Sequence, residues 1–82
     1  MPTVLRENGF AVRIYLPPRE HRPPQVHVVR GGGEVKIHLG TESAPPSVER
    51  VFQMRDADVV EAYRIVVEHH THLMNKWRLY HG

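Results

Sequence analysis

His27, Lys36 and His38, with Arg13 and Tyr15 before them and His21, Arg22 and Gln25 beside them, are the residue types that acid–base chemistry on a phosphodiester requires. Imidazole exchanges a proton near neutral pH, and lysine or arginine can steady the charge that develops on a pentacoordinate phosphate. Without catalysis, the same side chains make a basic, hydrogen-bonding surface for nucleic acid or an acidic protein. His27, His38, Lys36 and Arg13 are therefore the catalytic candidates. The binding candidates are Arg13, Tyr15, His21, Arg22, Gln25, His27, Lys36 and His38.

A hairpin must position them. Strict alternation from residue 25 to 39 puts Val26, Val28, Val35, Ile37 and Leu39 on one side and Gln25, His27, Glu34, Lys36 and His38 on the other. The turn between the arms is Gly31-Gly32-Gly33, which reaches positive φ without steric cost. A two-residue turn pairs Arg30 with Gly33, Val28 with Val35, His27 with Lys36 and Gln25 with His38; a four-residue turn sets His27 opposite His38. Either way both histidines share one polar face, as direct or diagonal neighbours, and that face is left free to bind.

The remaining elements extend this hairpin into a sheet and cover it. Val4-Leu5-Arg6 is a short strand followed by the turn signal Asn8-Gly9, and a second strand runs from Phe10 to Leu16 with Phe10, Val12, Ile14 and Leu16 on its apolar face. Two Pro-Pro pairs make the segment from Pro17 to Pro24 stiff and extended. Gly40 to Ser47 is a surface connection. Val48 to Met54 suits either a strand or a helical turn, and its two valines and Phe52 favour a fifth strand. Beyond it, Asp56 or Asp58 can cap a helix, Asp58 and Glu61 resembling a capping box. Its apolar stripe runs Val59, Tyr63, Val66, His70, Leu73, Trp77 and Tyr80, with Val60, Val67 and Met74 flanking. About 24 helical residues span roughly 36 Å, enough to overhang a small sheet. The predicted fold is α+β: an antiparallel meander of four to five strands over about residues 3–54, with one long C-terminal helix over about 56–80 packed on one face, all within a single domain, 1–82.

Composition narrows the function classes. With no cysteine among 82 residues there is neither a disulfide framework nor a thiolate metal site. No apolar run approaches the roughly 18 residues of a membrane span, and no charged-then-apolar leader opens the chain, so a cytoplasmic protein is expected. The formal charge of +2 is unevenly placed. Residues 1–40 hold six Lys/Arg against three acids, whereas residues 41–82 hold five against six, so the sheet half is the basic half.

Other candidates are weaker. His27 with His38, or His69 with His72 and Glu68, supply too few ligands for a dedicated metal site, so neither a metal nor a cofactor is expected. His70, inside the apolar stripe, fits a core histidine bonded to a carbonyl or carboxylate. Trp77 and Tyr80 continue the stripe almost to the chain end, where overhanging rings would form an interface for a partner or a second copy, with His81 at its rim.

Met1-Pro-Thr-Val-Leu-Arg-Glu-Asn-Gly-Phe10, Pro23-Pro24-Gln25-Val26-His27-Val28, Gly33-Glu34-Val35-Lys36-Ile37 and Lys76-Trp77-Arg78 through His81-Gly82 together resemble the small bacterial family called domain of unknown function 4160. The likeness runs the length of the chain. It departs at Gln25, where members carry the first histidine of a His-x-His motif. The resemblance implies a small soluble bacterial protein without an established activity, whose gene often lies beside that of another small protein, an arrangement that has prompted toxin–antitoxin proposals. The leading expectation is an interaction module of such a two-gene system, binding a small protein partner encoded nearby and RNA. The alternatives are a metal-independent ribonuclease using the polar sheet face and a structural module that dimerises through the helix C-terminus.

Overall fold

The computed structural model describes residues 2–41 and 43–82. Met1, the first residue of the resemblance, and Glu42, within the predicted surface connection, lie outside the described residues. The chain runs β1 (Thr3–Glu7), β2 (Phe10–Arg13), β3 (Gln25–Arg30), β4 (Gly33–His38), β5 (Ser47–Phe52), α1 (Asp56–Glu68) and α2 (His70–His81). The strands form one antiparallel sheet in the order β1-β2-β3-β4-β5, and the α+β class follows. Asn8 and Gly9, at φ 51° and 82°, make the first turn. The second hairpin takes the two-residue alternative: Arg30 faces Gly33, His27 faces Lys36 and Gln25 faces His38. Gly33 must stay a glycine for another reason, since a Cβ there would come within 2.3 Å of the Gln53 carbonyl oxygen.

The period-2 pattern is realised in full on the helix side. Val26, Val28, Val35, Ile37 and Leu39 are completely buried, together with Phe10, Val12 and Ile14 from β2 and the residue after it. Ala62, Ile65, Val66, Leu73 and Trp77 close over them from the helices. Each such aliphatic side chain contributes about 1.5–3 kcal/mol by leaving water. Tyr63 hydroxyl donates to the Pro46 carbonyl at 2.7 Å and fixes α1 beside the entry to β5.

Several expectations are corrected. The helix is not one rod: it breaks at His69, whose φ of −107° and ψ of 23° leave the helical region. A straight helix of ~36 Å would overrun strands of five or six residues, ~17–20 Å long; two pieces of 13 and 12 residues instead both lie on the sheet. The predicted stripe keeps Val66, Leu73 and Trp77 in the core, but its flank is corrected: Val60 and Val67 are exposed, while Ala62 and Ile65 are buried. Arg55, not an aspartate, stands at the N-cap without a side-chain cap, and Asp58 is instead paired with Arg55. β2 ends at Arg13, and Leu16 is 45 % exposed. Trp77 does not overhang: it is 3 % exposed and stacks on His81, with ring centroids 3.6 Å apart. Tyr80 is only half-buried but packs against the core.

Candidate functional site

On the sheet face away from the helices, the registers line up residues from neighbouring strands. Arg13, His27, Lys36 and Arg50 form one row across β2 to β5, each directly opposite the next. Beside it runs a second row of Ala11, Val29, Glu34 and Phe52, with Arg6 opposite Ala11 at its β1 end. A third joins Gln25, His38 and Ser47. Opposed residues in an antiparallel pair point to the same side, so these rows share a surface.

The predicted site residues meet on this face, but half of it is closed. The segment after β2 folds back so that Glu20 reaches Nε2 of His27, while Glu34 meets its Nδ1 at 2.7 Å. The Tyr15 ring lies 4.4 Å from the His27 ring, and the Arg19 guanidinium sits 4.4 Å above Tyr15. Gln25 Nε2 donates to the His21 carbonyl at 2.9 Å. In consequence Tyr15, Gln25 and His27 are 8 %, 5 % and 7 % exposed. The expectation of an open binding face is corrected here: a Pro-rich segment with an acid of its own covers the β2–β3 end. Both nitrogens of His27 face carboxylates, so neither is left to exchange a proton with a substrate.

The other predicted residues fall around this lid. His21 and Arg22 are exposed on it, and Arg13 is half-buried, its Nε and the Oε1 of Gln25 lacking partners among the described residues. His38 is a diagonal neighbour of His27 and pairs with its own acid, Glu49, which also takes Lys36 Nζ at 3.2 Å. His38 first and Lys36 second hold the Glu49 carboxyl below the ordinary carboxylate range. The two histidines therefore do not form a ligand pair.

The open part is the β4–β5 corner, a pocket of about 320 Å³ lined by Glu34, Lys36, Arg50, Val51 and Phe52. Sequence reading missed it because of one inserted residue. Lys36 pairs with Arg50 and Ile37 with Val48, so Glu49 is an extra residue, a β-bulge. The bulge reverses the alternation of β5: Val48 and Val51 stay on the helix side, while Phe52 turns to the polar side and is 59 % exposed. The available signal was Glu49-Arg50, two charges in succession within a strand.

The helical histidines and the nearby acids form a separate cluster. Ligand atoms of Glu7, Glu68 and His69 lie within 4.8 Å of one another, but Arg64 bridges Glu7 and Glu68 at 2.8 Å each, and His72 turns to the Val4 carbonyl at 3.3 Å. The guanidinium already supplies the positive charge a metal would bring. His70 donates to the Leu39 carbonyl at 2.7 Å, the expected bond, but it is half-buried rather than core. Among the described residues no helix is long and apolar enough to cross a membrane.

The family described as a domain of unknown function (DUF4160) matches residues 9–78. No curated protein and no solved structure matches the chain.

Proposed function

Since the chain belongs to the DUF4160 family, we propose that it is an interaction module of a two-gene, toxin–antitoxin-like system, which holds a small protein partner along β5 and engages RNA on the adjoining sheet face. The observation that carries this reading is the open edge of the sheet. All six residues of β5 are exposed, among them Val48, Val51 and Phe52. An unpaired strand edge flanked by apolar side chains is a template for strand addition: backbone hydrogen bonds supply affinity and alternate side chains supply selectivity. The opposite edge is less available, since β1 is mostly half-buried and its Val4 carbonyl takes His72.

The ribonuclease alternative is less favoured because Glu20 and Glu34 hold His27 and Glu49 holds His38, and the dimer alternative because Trp77 is buried. Co-purification with the product of the neighbouring gene, followed by hydrogen exchange, tests the leading reading. Amides of residues 47–52 should become protected in the complex, and Val48→Lys with Val51→Lys should abolish co-purification while the chain stays folded. Unchanged exchange along β5 in a purified complex would refute the edge as the docking site.

A further inference from the structure

We propose that the pocket between Phe52, Arg50 and Glu34 receives one unpaired nucleotide of a single-stranded nucleic acid, an assignment that rests on the RNA half of the reading above. Three features converge on it. First, the Phe52 ring is exposed on a sheet face rather than packed, and it stands directly opposite Glu34. An open aromatic ring on a strand is a stacking platform for a base whatever its identity.

Second, Lys36 and Arg50 face each other directly across β4 and β5. Like charges in that relation destabilise a sheet. Glu49 relieves only Lys36, and among the described residues no carboxylate pairs with Arg50. An anion placed over Arg50 would complete the neutralisation, and a phosphodiester attached to a base on Phe52 is an anion at the right remove.

Third, Glu34 gives one oxygen, Oε2, to His27, and its side chain is 38 % exposed, which leaves Oε1 to accept from the ligand. A carboxylate beside a stacking ring favours bases that present N–H donors on their pairing edge. Guanine presents adjacent imino and amino donors that can both converge on Oε1, and uracil only an imino donor, so guanine is preferred to uracil. A pocket of about 320 Å³ accommodates one base, not a duplex.

The test is fluorescence anisotropy with the full chain at about 50 mM salt, using a labelled oligouridine octamer with one central guanine. Phe52→Ala should weaken binding at least about tenfold and Phe52→Tyr should restore it. Arg50→Gln should reduce the log–log salt slope by about 0.7, the value of one single-strand phosphate contact. An all-uridine octamer should bind more weakly than the guanine-bearing one. Both replaced side chains are exposed, so circular dichroism and melting should confirm intact folds.

If the octamer binds wild type and Phe52→Ala equally, the pocket is overturned and RNA binding resides elsewhere. If wild type binds no octamer, the RNA half of the proposed function falls with the pocket, and the β5 edge reading stands alone. If guanosine monophosphate binds as tightly as the octamer, the occupant is a free nucleotide and the single-strand assignment is overturned.

Discussion

Nε2 of His70 donates to the carbonyl of Leu39 at 2.7 Å, fastening the first residue of α2 to the chain that leaves β4. The same device recurs along the helices. His69 reaches Glu7 at 2.8 Å, His72 the Val4 carbonyl at 3.3 Å and His81 the Tyr15 carbonyl at 2.8 Å. Among the described residues, six of the seven histidine side chains are hydrogen-bonded, four of them tying the helical segment to the strands and the loops that follow them.

Replacing His70 by alanine leaves the Leu39 carbonyl without its partner in a half-buried setting. Stability should fall by about 1–3 kcal/mol, read as a lower urea midpoint with an unchanged slope.

Trp77→Ala removes a ring from the core and its stacking on His81, so the cost should be about 3–5 kcal/mol. Sedimentation of wild type beside the variant checks the assignment. The ring is a core residue if the variant melts lower with no change in association, whereas a changed association at constant stability would make it an interface residue.

Acid should weaken the chain through the acids around Arg64. Arg64 foremost, then Asn8, lower the Glu61 carboxyl from 4.5 to about 2, and Arg64 followed by His69 lowers Glu7. A carboxyl lower in the folded than in the unfolded chain stabilises above its ordinary value, and that contribution disappears as pH falls from 4.5 toward 2. Urea midpoints across this window should decline less steeply in Arg64→Gln than in wild type.

Arg50→Thr should separate stability from binding. Removing one of two opposed cations and adding a β-branched residue to an edge strand should raise stability by about 0.2–1 kcal/mol, while octamer binding weakens. A thermal melt paired with the anisotropy assay reads both.

The sheet was legible in the sequence because its information is local. The turn glycines and the alternation of residues 25–39 leave two registers, and the five buried side chains follow from either; the structure takes the two-residue turn. Two features were hidden because they depend on three-dimensional fit. The break at His69 answers to the length of the sheet beneath it, which no helical periodicity encodes. The lid over His27 depends on where Glu20 lands between two proline pairs. The bulge at Glu49 had a similar effect on the site, since one inserted residue moved Phe52 from the helix side to the polar side. The candidate catalytic face was read correctly as a set of neighbours and incorrectly as an open surface.

The strand order of the sheet is the order of the chain. Each ladder closes a short loop with the strand just made, so all five can pair in sequence as the polypeptide is synthesised. The helices come last. Until residues 62–77 arrive, Val12, Val26, Val28, Val35 and Ile37 form an uncovered, β-branched apolar surface beside a free edge. That interval in biosynthesis, rather than the finished molecule, is when the chain is most open to aggregation, and a premature stop within α1 would make the interval permanent.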